Sequence, residues 1–413
     1  MNANHYDVIV IGGGAAGLMA AGTAAARGKH VLLLEKNPEI GKKLSISGGG
    51  RCNIANAEED EKVLLSQYGK AESFLYSAFS EFGMHSTFSF FETLGLPLVV
   101  QKQKRAFPRS ERAEDVVAAF EKYLKKGRVE VRTDTPVARI KMSGGKIEGI
   151  QTQGFVFTAD SYILATGGVS HPETGSTGDG FKWLSELGHT VAEPTPTIVP
   201  LAASDAWIPK LKGKTLKDVR ITFYQEDVRK FSKKGSILLT HFGLSGPTIL
   251  NAAGSVRELL YGGIVTATID LFPTTDLGHL DAKLVALFEV NKNKLLRNTL
   301  PEILPNGTTE VLLSLVPSID PEIKVHSVTK EQRRALVELL KGLPVSITGL
   351  MGFNRAVVAD GGVLLNEVDM RTMRSKKCEN LFITGDLLHI SRPSGGYSLQ
   401  LCWTTGYVAG VNA

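Results

Sequence analysis

The chain opens with two short unbroken apolar runs separated by a glycine- and alanine-rich stretch. Tyr6-Asp7-Val8-Ile9-Val10-Ile11 is rich in β-branched residues, which predicts a parallel strand buried on both faces. Gly12-Gly13-Gly14-Ala15-Ala16-Gly17 follows, an Ala-rich stretch to about Arg27 predicts a helix, and Val31–Leu34 predicts a second buried strand ending at Glu35. Val129 to Gly168 alternates and turns like a β-meander, with a hairpin at Ser143-Gly144-Gly145-Lys146 and a last strand, Ser161–Ala165, entering Thr166-Gly167-Gly168. Gly175–Gly180 opens another helix. Glu193-Pro194-Thr195-Pro196-Thr197, with Pro200, reads as a linker. Short alternating segments from Leu201 to about Leu271, such as Lys217–Phe223, predict antiparallel strands. Residues 276–341 carry helical patterns, and the charges within Gln332–Leu340 read as a solvated face. Leu343–Gly349 returns to strand. Asn380–Ile383 is an apolar strand ending in Gly385-Asp386, and Thr404–Gly410 is a small-residue helix.

At 413 residues the chain is too long for one compact core, so a main domain with inserted ones is expected. Net charge is +5, enough to favour an anionic ligand; with no dense Lys/Arg block interleaved with aromatics, nucleic acid is not the expected partner. Cys52, Cys378 and Cys402 are widely spaced and form no CxxC, so neither a disulfide framework nor a metal site is expected. No apolar run reaches the roughly 18–20 residues that span a bilayer. Structure begins at about Tyr6, so a signal peptide is not expected and the chain reads as cytoplasmic.

The N-terminal unit carries chemistry. Gly12 lets the chain turn out of the strand, Gly14 lets the backbone approach a pyrophosphate, and Gly17 seats the helix on the sheet. The N–H groups at the helix start, around Ala15 and Ala16, then face the phosphates. Glu35, 23 positions after Gly12 and followed by Lys36, is placed to accept the hydroxyls of an adenosine ribose. The fingerprint does not separate FAD from NAD, but its N-terminal place in a chain without a second GxGxxG points to FAD, held non-covalently.

Other segments extend the expected cofactor site. In Gly41–Asn53, three glycines expose backbone N–H groups beside Lys43, Ser47, Gly48, Gly49, Arg51, Cys52 and Asn53, which suits an anion or a polar ring edge; the plain alternative is a flexible surface turn. Cys52 is expected to pack beside the flavin rather than act as a nucleophile. Val137 in the meander, Thr166 and Gly167 at its end, and Gly385 and Asp386 join the set, with Asp386 accepting from a ribityl hydroxyl. Gly395, Gly396, Tyr397 and Leu399 lead into the last helix, whose N–H groups would face the flavin pyrimidine. For the proton of a substrate, the candidates are His241, His389, Arg392 and Tyr397, each with a structural reading beside the chemical one. Arg105 and Arg109 are candidates for a substrate carboxylate, or are solvated loop arginines.

Several of these segments together resemble a family, the BaiN-like, aminoacetone-oxidase-like flavoproteins of the two-dinucleotide-binding-domain group. The resemblance rests on Ser47–Asn53, Phe107-Pro108-Arg109-Ser110, Thr240–Pro247, Thr372–Lys376 and Gly395-Gly396-Tyr397, and spans nearly the whole chain. Tyr397-Ser398 stands where the family usually has Tyr-Asn, and Asp386 where a Glu is frequent. The resemblance implies an α/β fold: a Rossmann-like FAD-binding domain (1–195 plus 350–413) with an inserted β-barrel-like domain (196–275 plus 342–349) and a small helical domain (276–341). It implies an FAD-dependent oxidoreductase passing hydride between the flavin N5 and a small organic substrate, with NAD(P)H as a transient donor. A flavin-dependent nucleic-acid-modifying enzyme and a non-enzymatic flavin sensor stay as alternatives. Oligomeric state is left open.

Overall fold

The computed structural model describes residues 5–413. The chain divides into two compact units, one made of the residues up to Pro196 with Phe353–Ala413, the other of Thr197–Gly352.

The first unit opens with β1 (His5–Ile11), a helix (Ala15–Ala26) and β2 (Val31–Leu34). A small antiparallel sheet follows: β3 (Ala55–Asn56), β4 (Leu98–Gln101) and β5 (Arg105–Pro108), in the order β3-β5-β4. Next come β6 (Glu130–Arg132), β7 (Val137–Ser143), β8 (Lys146–Thr152) and β9 (Val156–Leu164). The main sheet runs β6-β2-β1-β9-β8-β7. The meander is therefore β7–β9 alone. Residues 130–132, expected at its start, pair in parallel with β2 instead and extend the Rossmann sheet. Strands β1 and β2 are enclosed on both faces, as their unbroken apolar runs require.

The proline segment carries the chain from the first unit to the second, as expected of a linker, but it is not irregular. It is β10 (Val191–Ile198), a strand of a two-stranded ribbon, where prolines are tolerated because one edge needs no N–H donors. The second unit holds β11 (Leu201–Ala203), β12 (Thr215–Gln225), β13 (Val228–Leu239), β14 (Gly243–Ser245), β15 (Val265–Asp270) and β16 (Leu343–Leu350). They close into a six-stranded barrel, β11-β14-β13-β12-β15-β16. The excursion between β15 and β16 is helical; its last helix, Lys330–Lys341, starts with a capping box between Thr329 and Gln332.

Back in the first unit, β17 (Val358–Val363) partners β10, and β18 (Leu381–Ile383) pairs in parallel with β9. The C-terminal helix spans Tyr397–Asn412, seven residues earlier than its small-residue stretch suggested. It lies against the Ala15–Ala26 helix through glycines: a Cβ on Gly406 would come 2.4 Å from Ala16 O, and one on Gly410 2.5 Å from Ala20 O. Trp403, fully buried, stacks on Phe120 (5.3 Å), meets Phe91 edge-on, and donates its indole N–H to Ile54 O (3.0 Å). Both chain ends thus share one core. No helix among the described residues is long and apolar enough to cross a membrane.

Candidate active site

Gly12 leaves β1 at φ +106° and lies flat on the end of β9, where a Cβ would come 2.6 Å from Ala165 O. Gly17 touches the turn itself: its Cβ would sit 1.9 Å from Gly12 O. Gly14 differs, since a Cβ there would meet nothing within 4 Å. The helix that starts at Ala15 has no side-chain cap and no acid in its first turn. Its leading N–H groups therefore have no side-chain acceptor, and with the helix dipole they suit a phosphate.

Glu35 is buried at the tip of β2. Its Oε2 accepts from Gly13 N (2.7 Å), and its Oε1 from Asn37 N (2.8 Å) and Asn37 Nδ2 (2.7 Å). A carboxylate has about four acceptor positions, so one remains for a ribose hydroxyl. Lys36 is committed elsewhere, to Asp179 (2.8 Å) and Thr177 (2.6 Å). The backbone of Glu35 accepts from Thr135 N (2.9 Å), which brings the start of β7 and the half-buried Val137 to the same end of the sheet.

The Gly41–Asn53 segment begins as a helix at Lys42 and breaks at Ser47 (ψ 150°). Gly48, Gly49 and Gly50 then take left-handed φ of 58°, 69° and 82°. Gly48 needs its lack of a Cβ, which would come 2.8 Å from Asn53 N, whereas Gly49 and Gly50 face open space. Cys52 is fully enclosed, and burial pushes its thiol up to about 12 despite a bond from Ser47. Its side chain therefore presents no surface to a cofactor, against the expectation that it packs beside the flavin. Asn53, with its amide nitrogen turned to the carbonyls of Ala55 and Ala106, accepts from Gly396 N (3.0 Å). Asn56 donates to Gly395 O (3.0 Å), and Tyr68 donates to Tyr397 O (2.8 Å). A Cβ on Gly396 would come 2.3 Å from Ala55 C, so the N-terminal loop and the C-terminal glycine pair are in direct backbone contact. The helix starting at Tyr397 also lacks a side-chain cap and a first-turn acid; Leu399 packs at the edge of the core.

Gly385 (φ +61°) donates to Thr405 Oγ1 (3.0 Å), and a Cβ there would come 3.2 Å from the Cβ of Ala16. Asp386, beside Gly168, is held by the Arg392 guanidinium, which also reaches Ser398 Oγ (3.1 Å) and Ile390 O (2.7 Å). With its side chain 1% exposed and all three of its nitrogens bonded within this loop and helix start, Arg392 pins the loop. Lys43 donates to Ser170 Oγ (3.2 Å); burial lowers its pKa, and the charge of Asp386 opposes the shift. Thr166 Oγ1 is buried without a hydrogen-bond partner, beside Gly167 at φ +72°. His389 is exposed, tied through its backbone to Val363 O. His241 stands exposed in the barrel unit, edge-on to Phe242.

Fingerprint, Glu35, glycine turn, Thr166-Gly167, Gly385-Asp386 and Gly395–Tyr397 are thus linked within one unit, and their uncapped helix starts, open glycines and a buried carboxylate with one acceptor position left fit a dinucleotide. Asn56, Ser170 and Thr405 belong to this arrangement and were missed. Only Asn56, three residues past the Arg-Cys-Asn run, carried any signal.

A family profile described as the HI0933-like protein Rossmann domain matches residues 6–412. The chain is 30% identical to a 3-dehydro-bile acid delta(4,6)-reductase of Clostridium scindens over 97% of each chain. It is 28% identical to a ribosomal RNA dihydrouridine synthase of Escherichia coli, over 98% of this chain and 96% of the relative. Among solved structures, a 3-ketosteroid-delta4-(5alpha)-dehydrogenase from Rhodococcus jostii shares the fold at a TM-score of 0.58 and 13% identity, covering 99% of this chain and 97% of that one. The chain belongs to the HI0933-like Rossmann-domain family of FAD-dependent oxidoreductases.

Proposed function

We propose that the protein binds FAD non-covalently across Gly12–Gly17, Glu35 and the Gly395–Tyr397 helix start, and reduces a carbon–carbon double bond conjugated to a carbonyl. The observation that carries this is the joining of two uncapped helix starts in one unit by the Asn53–Gly396 and Asn56–Gly395 contacts. Bound flavin supplies hydride transfer at N5. The chain's part is to hold the dinucleotide phosphates on the Ala15 helix, fix a ribose at Glu35, and favour negative charge near the N–H groups that open at Tyr397. The reaction class is taken from the two full-length relatives. A bile acid delta(4,6)-reductase and a dihydrouridine synthase both add two hydrogens across a ring double bond in conjugation with a carbonyl.

Anaerobic mixing with NADH and NADPH tests the donor, and a 3-oxo-4-ene steroid or uridine then tests the acceptor. The expected result is bleaching of the flavin band by one nicotinamide and its return on adding an acceptor. A flavin that no acceptor of this class reoxidises overturns the reading.

A second reading, RNA as the substrate, has its own observation. Arg229, Lys230, Lys233 and Lys234 on β13 are exposed and, among the described residues, have no ion-pair partner. Binding to ribosomal RNA that weakens steeply with salt supports it, and no binding at low salt removes it.

A further inference from the structure

The three-stranded sheet β3-β5-β4 carries a row of polar residues. In its register Arg105 lies directly between Asn56 on β3 and Gln101 on β4, so the three side chains share one face. Phe107, two residues along β5, points to that face as well. Arg51, arriving from the glycine turn, lays its guanidinium 4.5 Å from the centroid of the Phe107 ring. It reaches Gln101 Oε1 (3.5 Å) and Glu111 Oε2 (3.8 Å).

Arg105 is different. Its Nε is buried and has no hydrogen-bond partner, and its guanidinium enters no ion pair among the described residues. Burial draws its pKa down, and the charge of Arg51 draws it further. The two arginines are within electrostatic reach of each other, and the one carboxylate paired with Arg51, Glu111, is itself bonded to Gln101. A partly buried guanidinium with an orphan donor beside a like charge is costly unless a second anion visits. The neighbours say where that anion comes from. Asn56, next to Arg105 in the row, is bonded to Gly395 O, and Arg51 follows directly on Gly48–Gly50. Both lead into the site of the proposed reductase.

We propose that Arg51 and Arg105 form an oxyanion clamp that seats a carboxylate or phosphate group of the substrate beside the Gly395 end of the active site. Arg105 supplies a guanidinium with no ion-pair partner among the described residues, Arg51 a second charge held over Phe107, and Gln101 an amide beside both. The clamp rests on the proposed function in one respect, that the anion belongs to the molecule being reduced.

The test uses the FAD-loaded full chain and Arg105→Gln, chosen because Arg105 has no internal partner to lose. Flavin content and melting temperature verify folding. Titration with inorganic phosphate at constant ionic strength is expected to raise the melting temperature saturably in the parent protein. Arg105→Gln should abolish the rise, and Arg105→Lys should keep part of it. Turnover assays then separate the sources: a steroid enone carboxylate against its methyl ester, and a uridine nucleotide against uridine. For the true source, Arg105→Gln should cost about ten- to a hundredfold in kcat/KM on the charged form and leave the neutral form unchanged. No phosphate response in the parent, a response that survives in Arg105→Gln, or equal losses on charged and neutral forms overturns the clamp. The phosphate arm needs no turnover. An Arg105-dependent phosphate response in a protein that reduces nothing would therefore sink the reductase reading and leave the clamp standing.

Discussion

Replacing Gly406 by alanine adds one methyl group where the C-terminal helix crosses the first helix. That methyl would stand 2.4 Å from Ala16 O, against 3.4 Å for an ordinary contact, and the opposing atoms are backbone. Nothing there rotates away, so the helices must part by about 1.0 Å along this direction. Overpacking of this kind costs about 1–3 kcal/mol. At roughly 2–4 °C per kcal/mol for a unit of this size, Gly406→Ala should lower Tm by roughly 2–12 °C. Function should suffer as well, because Ala16 is the second residue of the helix whose N–H groups are proposed to hold the dinucleotide phosphates. Displacing it by about an ångström should weaken FAD binding by about tenfold, read by flavin fluorescence on titrating apo-protein. Gly254→Ala is the internal control. It also sits in a helix, a Cβ there would meet nothing within 4 Å, and it should be neutral or stabilising by about 0.5–1 kcal/mol. If Gly406→Ala melts within a degree of the parent with unchanged FAD affinity, the glycine contact does not set the position of the first helix.

Glu35→Gln should raise the Kd for FAD by about tenfold in the same titration, because the new amide nitrogen would face the donors of Asn37 or Gly13 instead of accepting from them. In the native protein Cys52 should resist a thiol reagent at pH 8, since burial encloses it fully and pushes it up to about 12; modification as fast as in guanidinium-unfolded chain would contradict this. Acid should destabilise in two stages through His189, which bonds Glu367 (3.0 Å) and Ser375 (2.8 Å). Burial holds the folded His189 below its ordinary 6.5, outweighing Glu367, so the unfolded chain binds the proton first and stability falls as pH drops below about 6.5. Burial pushes Glu367 up, but bonds from Lys377, Thr190 and His189 outweigh it and leave it at about 2, so a further loss follows from about pH 4.5 downward. Melting curves of His189→Gln should lack the first stage; an unchanged pH profile would refute the assignment.

What the sequence disclosed and what it hid differ in the range of the forces involved. Gly12, Gly14 and Gly17 were legible because each answers a demand set within a few residues: a turn at φ +106°, an open helix start, a helix seated on its own turn. The same holds for Glu35, fixed by the end of a short buried strand. The misreadings are tertiary. Pro194 and Pro196 speak for a linker until β17 supplies a partner, and that partner is acceptable only because Gly361 can lie against Pro194, where a Cβ would come 2.6 Å from its Cα. Gly395 and Gly396 hide the true start of the last helix, since what makes Tyr397–Leu401 helical is packing on Tyr68 and the docking of Trp403 on Ile54 and Phe120. Arg105 is the sharpest case. Alone it is a basic residue in a polar stretch, as readily solvated as functional. Its orphan donor exists only because strand register sets it between Asn56 and Gln101, and because Arg51, 54 positions earlier, is stacked on the same strand. The residues proposed to bind the cofactor backbone are dictated by local chain geometry, so they can be read from spacing. The proposed clamp is made instead by register between distant segments, which spacing along the chain does not display.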